Sequence, residues 1–231
     1  VTFSRDAFGN VYSWGFDIDG TLGFGNNINF DIKNCTGAPP YSYAQPMTVN
    51  SIIYPRKIPT LKNIKDIQAA QLTAYAVTQE GFVYQWGQIP VFDKISWVSA
   101  PVKMNSITNV VQVVPGGTDA LALLSNGQVV GWGFGYEGFG AGVYSALGSN
   151  KIITNPVVIP DLLYDKVIQI SGNTGGAYMA LLSNGDVKLW SGEEYKLISN
   201  AASYPIWSKP KTPIPGQTRI ETVNENGSIS L

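Results

Sequence analysis

Ala120-Leu-Ala-Leu-Leu-Ser-Asn126-Gly127-Gln-Val-Val-Gly-Trp132 is the stretch that decides the fold. Small and large apolar residues alternate up to Ser125, Asn126-Gly127 follows, and apolar residues resume toward Trp132. Asn-Gly supplies the positive φ of a tight turn and, between apolar runs, is a strong hairpin signal, so two antiparallel strands are expected. Ala177-Tyr-Met-Ala-Leu-Leu-Ser-Asn184-Gly185-Asp-Val-Lys-Leu-Trp190 repeats the pattern almost residue for residue. The same offset from turn glycine to tryptophan joins Gly9 to Trp14 and Gly81 to Trp86, and Gly227 opens a fifth copy. Self-similarity at a spacing of tens of residues marks a propeller or a solenoid.

Between hairpins a second module recurs, in which proline leads into two further apolar stretches. It runs from Pro55 to Ala70, from Pro101 to Val113 and from Pro156 to Gly172. Proline suits an edge strand, where its missing N–H breaks no ladder bond. Each unit then holds about four short strands, and no helical periodicity of ten or more residues interrupts them. The expectation is an all-β chain, a β-propeller of four to five four-stranded blades forming a single domain over residues 1–231. In such a fold Trp14, Trp86, Trp132 and Trp190 fill the space between adjacent sheets, each burying about 150–250 Å². Gly15, Gly87 and Gly133, directly after three of them, permit close backbone approach.

Charged residues make up only 13% of the chain, and the formal net charge is −1 with no cluster of lysine and arginine. That leaves no electrostatic footprint for a phosphate backbone, and nucleic acid is not expected as a partner. The chain has no histidine and one cysteine, Cys35. Histidine triads, histidine metal sites and an internal disulfide are thereby excluded, and neither metal nor cofactor is expected. No run approaches the roughly 18 apolar residues of a membrane span. The weakly charged surface, rich in Gly, Asn, Ser, Thr and Tyr, leans toward an extracellular or cell-surface setting.

Gly9-Asn-Val11-Tyr-Ser-Trp14-Gly15-Phe16-Asp17-Ile-Asp19-Gly20-Thr21-Leu22-Gly23-Phe24-Gly25 has a second copy in Gly127-Gln-Val129-Val-Gly-Trp132-Gly133-Phe134-Gly135-Tyr-Glu-Gly138-Phe139-Gly140. Both resemble the D-G-x-V-x-x-W-G-x-N-x-x-G-Q-L-G-x-G unit of the regulator of chromosome condensation (RCC1-like) repeat family. The resemblance covers essentially the whole chain. It implies a propeller whose usual seven blades need more than 231 residues, and so a part of a propeller or a reduced one. A chain that starts inside one hairpin and ends inside another fits a piece of a larger assembly. Family repeats carry Gly-x-x-His-Ser before the second strand. The corresponding stretches here are Ala70-Gln-Leu-Thr-Ala-Tyr75, Gly116-Gly-Thr-Asp-Ala120 and Gly172-Asn-Thr-Gly-Gly-Ala177. Other groups must therefore make the histidine-linked contacts between blades.

Two motifs look chemical. Asp17-Ile-Asp19-Gly-Thr21-Leu reads like the nucleophile motif of haloacid-dehalogenase phosphatases, in which the first aspartate attacks phosphorus. That chemistry needs a parallel α/β sheet, a later lysine and a second acidic pair, and the motif here falls in register on a repeat segment. Gly133-Phe-Gly135-Tyr-Glu-Gly138 is a formal dinucleotide fingerprint with no helix after it, and its glycines too occupy repeat positions. Glu193-Glu194 is the one adjacent acidic pair and reads as a solvated turn. No catalytic residue is expected.

Function is expected where the repeat lengths differ, because propeller loops vary while the strands hold the scaffold. Successive turn glycines are 72, 46, 58 and 42 residues apart. The first interval carries an insertion at about 26–54 with Phe30, Tyr41, Tyr43 and Tyr54; residues 134–150 add Phe134, Tyr136, Phe139 and Tyr144; residues 193–207 add Tyr195, Tyr204 and Trp207. Tyrosine and tryptophan on polar, glycine-rich loops offer large contact area with few rotamers to freeze. A non-catalytic module that binds a protein or glycan partner through these loops is the first expectation. The alternative is the role the resemblance implies, an intracellular scaffold or guanine-nucleotide exchange factor for a small GTPase, for which no charged wedge is visible.

Overall fold

The computed structural model describes residues 1–17, 20–26, 32–35, 49–70, 72–92, 94–116, 119–133, 152–159, 162–173, 178–191, 194–198, 222–223 and 229–230. Among these the five hairpins form as the alternation requires. They are β1 (Thr2–Arg5) with β2 (Val11–Asp17), β6 (Thr73–Thr78) with β7 (Val83–Val91), and β10 (Asp119–Leu124) with β11 (Val129–Gly133). β14 (Tyr178–Leu182) pairs with β15 (Val187–Ser191), and β17 (Thr222–Val223) with β18 (Ile229–Ser230). The turn glycines Gly9, Gly81, Gly127 and Gly185 all have φ between 78° and 90°. Gly227 lies outside the described residues.

Three four-stranded sheets follow the blade order. β5 (Ile64–Ala69), β6, β7 and β8 (Lys94–Lys103) form one; β9 (Val110–Pro115), β10, β11 and β12 (Ile153–Val158) the next; β13 (Val167–Gly172), β14, β15 and β16 (Glu194–Ile198) the third. The fold is all-β, a set of propeller blades. Blade 1 runs β1-β2-β4-β3, where β4 (Val49–Lys57) is the outer strand and β3 (Ile32–Cys35) is added beyond it. Two expectations need correction. Residues 49–54 belong to β4 and not to a loop excursion, and residues 194–198 form β16, with Tyr195 paired to Trp190. The prolines also sit inside the outer strands, Pro55 in β4, Pro101 in β8 and Pro156 in β12, instead of opening them. β8 and β12 are sheet edges, and β3 pairs β4 only at Ser51 and Val49, so none of the three prolines interrupts a second ladder.

Trp14, Trp86 and Trp132 each sit at a β-bulge, whereas β15 pairs with β16 through Trp190 without a register shift. Against the outer strand, β2 shifts register between Ser13 and Gly15, β7 between Gln85 and Gly87, and β11 between Gly131 and Gly133. Gly15, Gly87 and Gly133 supply φ of 104°, 86° and 115°, a backbone that an L side chain resists. The bulge aims the indole into the preceding blade. Trp86 is fully buried, donates from Nε1 to the Thr21 carbonyl at 2.9 Å and meets Phe3 edge-on at 5.7 Å. Trp132 is fully buried, donates to Gln85 Oε1 at 3.3 Å and meets Tyr75 edge-on at 5.7 Å. Trp14 departs from the expectation of full burial. It is only half-buried, because among the described residues no sheet packs on its side of blade 1. The side chain of Trp190 lies outside the described set.

Apolar clusters fill the spaces between blades. Val11, Ile58, Leu61, Ile64, Ala74 and Ala76 gather around Trp86, and Tyr75, Val77, Val110, Val113, Ala120 and Ala122 around Trp132. The strand shared by two such clusters has both faces buried, which is why β6 is buried at every residue. A main-chain bond repeats at each step: Ile64, Val110 and Val167 donate to the carbonyls of Gly9, Gly81 and Gly127 at 3.0, 3.0 and 3.1 Å. The turn glycine of one blade therefore rests on the first strand of the next.

That contact gives the glycines unequal costs of substitution. A Cβ on Gly81 would lie 2.9 Å from the Val110 nitrogen and 3.0 Å from Asn109 Cα, whereas one on Gly185 meets nothing within 4 Å. Both glycines have nearly the same φ. Gly185→Ala should cost about 1 kcal/mol for the left-handed backbone alone, and Gly81→Ala about 1–3 kcal/mol more because backbone must move. Urea denaturation of the two variants measures the difference; equal losses would mean that Gly81 does not hold the blades in contact.

Candidate functional site

The described residues of the phosphatase-like motif, Asp17 and 20–22, serve the scaffold. Asp17 Oδ1 accepts the Leu22 N–H at 2.9 Å, and the Ser13 hydroxyl donates to the Leu22 carbonyl at 2.7 Å, with Leu22 fully buried. Cβ atoms on Gly20 and Gly23 would collide with Ser99 and Trp86. The segment is a clasp from blade 1 onto blade 2, closed by the Gly25 N–H on the Ser99 carbonyl at 2.7 Å. Asp19 lies outside the described residues. Among the described residues no three Asp, Glu, Cys or His side chains converge as metal ligands would.

Strand direction sorts the connections onto two ends of the blades. The hairpin turns at Gly9, Gly81, Gly127 and Gly185 occupy one end, together with the crossings to the next blade. β2, β7 and β11 then run to the opposite end. There β2 connects to β4 through residues 18–48, β7 turns into β8 at 92–93, and β11 connects to β12 through 134–152. Both long insertions thus leave and re-enter at one end of the blades, flanking the blade 2 hairpin between them. Phe30, Tyr41, Tyr43, Phe134, Tyr136, Phe139, Tyr144 and Trp207 themselves lie outside the described residues. Tyr54 sits on β4 and is exposed.

The structure adds two aromatics at this end that sequence reasoning missed. Phe92, at the tip of the β7–β8 hairpin, is 80% exposed and holds φ at 54°, a conformation that costs a bulky L residue about 1–2 kcal/mol. Its carbonyl accepts the Thr154 hydroxyl of blade 3. Trp97, on β8 opposite Gln88, is 43% exposed. The turn carries Phe92-Asp93 where Asn-Gly is favoured, so the usual hairpin signal is missing. The nearest cue is the apolar run on both sides of it.

Beneath the same end lies a buried polar pair. Asp119, at the start of β10, is fully buried and accepts the Tyr178 hydroxyl of blade 4 at 3.0 Å. Gly116 lies against both, leaving no room for a Cβ. The Tyr75 hydroxyl is buried without a hydrogen bond of standard geometry. Burial, then the Asp119 charge and its hydrogen bond, push the Tyr178 phenol well above its ordinary value; burial and the Asp119 charge do the same to Tyr75.

The propeller has known counterparts. No family model matches the chain. A curated relative, the RCC1 domain-containing protein RUG3, mitochondrial, of Arabidopsis thaliana, is 25% identical over 190 residues, covering 79% of this chain and 38% of the relative. The crystal structure of human WBSCR16 superposes with a TM-score of 0.62 at 19% identity, covering 85% of this chain and 50% of that one. Yeast RCC1 (Prp20) bound to Kap60 gives 0.59 at 18% identity, covering 87% and 47%. Prp20p of Saccharomyces cerevisiae, in a structure described with its binding to Gsp1p and histones, gives 0.57 at 18%, covering 87% and 49%. The fold is that of a divergent RCC1-like propeller. The chain spans about half the length of the solved propellers it matches and 38% of its curated relative.

In the RCC1-like register, Gly116-Gly-Thr-Asp119-Ala120 stands where the family has Gly-x-x-His-Ser. The blade-to-blade contact is remade as Asp119 with Tyr178, and beside it Gln112 bonds both the carbonyl and the N–H of Ile170 at 2.8 and 3.1 Å. Tyr178→Phe should destabilise the fold by about 1–3 kcal/mol at pH 7, since it removes a donor from a buried carboxylate. Folding favours the neutral phenols. Their stabilisation is complete below the unfolded tyrosine value near 10 and is lost as pH rises above it. Stability should thus fall from about pH 10 upward, less steeply in Tyr178→Phe, as denaturation followed with tyrosinate absorbance would show. At the hairpin tip Phe92→Asn should raise stability by about 0.5–1 kcal/mol, because asparagine tolerates the left-handed backbone; an unchanged or lower Tm would show that no strain resides there.

Proposed function

We propose that this propeller is a non-catalytic protein-binding module whose contact surface is the insertion end of blades 1 to 3. The observation that carries the reading is the convergence there of both long insertions and the exposed, strained Phe92. Strain in an exposed aromatic persists only where surrounding structure imposes it, and such positions cluster at ligand contacts. The described motif residues and buried tryptophans are taken up by the scaffold, and among the described residues no constellation for general acid–base or nucleophilic chemistry is assembled. Phe30, Tyr41, Tyr43, Phe134, Tyr136, Phe139, Tyr144 and Trp207 are the loop residues assigned to the contact. A protein partner is favoured; a glycan would use the same aromatics. The low charge supports an extracellular or cell-surface setting.

A second reading, a scaffold or exchange factor for a small GTPase, draws on the yeast RCC1 relative described with Gsp1p. The two are separable. The chain and a variant with residues 36–48 replaced by a glycine-serine linker, which keeps β3, are each used to capture partners, quantified by mass spectrometry, with Tm measured alongside. The binding reading expects proteins retained by the first to be lost from the second at unchanged Tm, and an identical retained set would overturn it. Acceleration of labelled GDP release from purified small GTPases would instead favour the exchange reading.

A further inference from the structure

Blade 1 shows what the outer edge of a blade in this chain accepts. β3 pairs antiparallel with β4, Ile32 opposite Ser51 and Cys35 opposite Val49, as a strand beyond the outer one. The equivalent positions of blade 2 follow from the ladder. Tyr12 pairs with Lys57 as Tyr84 does with Lys103, and Gly15 with Ile52 as Gly87 does with Val98, each across the same bulge. Ser51 thus corresponds to Trp97 and Val49 to Ile95. Ser51 is buried, whereas Trp97 is 43% exposed, and among the described residues no strand pairs with the outer edge of β8.

The ends of that edge are guarded and its middle is not. Lys94 and Lys103 are exposed at either terminus, Pro101 interrupts the far half, and the clasp from blade 1 holds Ser99 through Gly25. Lysine and proline are the devices that keep edge strands from pairing. Ile95-Ser96-Trp97 carries neither. Phe92, 80% exposed, stands at the hairpin tip directly beyond it.

We propose that Ile95–Trp97 is a docking edge, onto which an extended segment of a protein partner with no net charge adds as a fifth strand, as β3 adds to blade 1. Main-chain bonds to β8 supply affinity, and Trp97 and Phe92 select apolar side chains at alternate positions. This rests on the protein-binding reading and names its mode.

The test uses the whole chain and hydrogen–deuterium exchange read by mass spectrometry. The probe is a synthetic peptide copying residues 30–37, with serine replacing Cys35. It carries the strand that blade 1 accepts at the equivalent place. Outward amides of 95–97 should exchange freely without peptide and at least ten-fold more slowly with it, and Trp97→Lys should abolish the effect while leaving exchange in β6 unchanged. Amides of 95–97 already protected in the free chain, or protected by dimerisation seen in light scattering, would overturn the proposal, since the edge would then be occupied. So would a peptide that protects nothing; partner capture that survives Trp97→Lys while depending on residues 36–48 would sink the docking edge and leave the binding reading standing.

Discussion

The packing of blades 1 to 3 on one another depends on an indole placed at a β-bulge. The bulge in β7 or β11 turns the tryptophan out of its own sheet and into the preceding blade, and the glycine after it accepts the backbone angle that the turn requires. A buried indole N–H must find an acceptor. Trp86 finds the Thr21 carbonyl and Trp132 the Gln85 side chain, so the anchor is kept while its partner changes from main chain to side chain. The clasp at Gly20–Gly25 then has one allowed shape, because Gly23 must lie flat against Trp86 and Gly20 against Ser99. The described residues of the phosphatase-like motif are ones that this packing demands.

Beyond the clasp, blades fastened in this way tolerate long insertions at the opposite ends of β2 and β11. The long insertions leave from there, and there the chain retains a phenylalanine in a backbone conformation it disfavours. A hairpin with strands of 9 and 10 residues can hold one strained turn, since its many ladder bonds outweigh a penalty of about 1–2 kcal/mol. Thr154 steadies the tip from the neighbouring blade. Rigidity around an exposed aromatic is what a contact surface gains from, because less freedom is lost on binding.

The hairpins and their tryptophans were legible in the sequence because local signals agree: alternation, turn glycine and aromatic lie within a few residues. The proline-led outer strands were legible in existence but not in extent. β4 begins at Val49 in a stretch where alternation is weak, and β16 is held by pairing with β15, a contact no local pattern announces. β3 is likewise a tertiary product, four residues made into a strand by the edge of β4. The need to replace the family's histidine contacts was readable, but the solution was not, since Asp119 and Tyr178 lie far apart in sequence and meet only when blades 3 and 4 pack. Phe92 escaped for the opposite reason. Turn chemistry predicts Asn or Gly at such a φ, and this chain breaks that rule at its exposed tip.

The absence of histidine shapes recognition as well as packing. Histidine is the side chain whose ordinary pKa brings a charge change between pH 5 and 8, and this chain has none. Its buried interblade contact uses a carboxylate and a phenol, and the phenol titrates only in alkali. With 13% charged residues and a net charge of −1, the surface also lacks the field that would steer a charged partner by long-range attraction. The docking proposed at β8 would rest on terms that salt and neutral pH scarcely touch: apolar contact at Phe92 and Trp97, and main-chain hydrogen bonds along an open strand edge. Both terms are short-ranged and geometric. They reward a scaffold that holds its edge rigid, and the tryptophan at each bulge provides that rigidity.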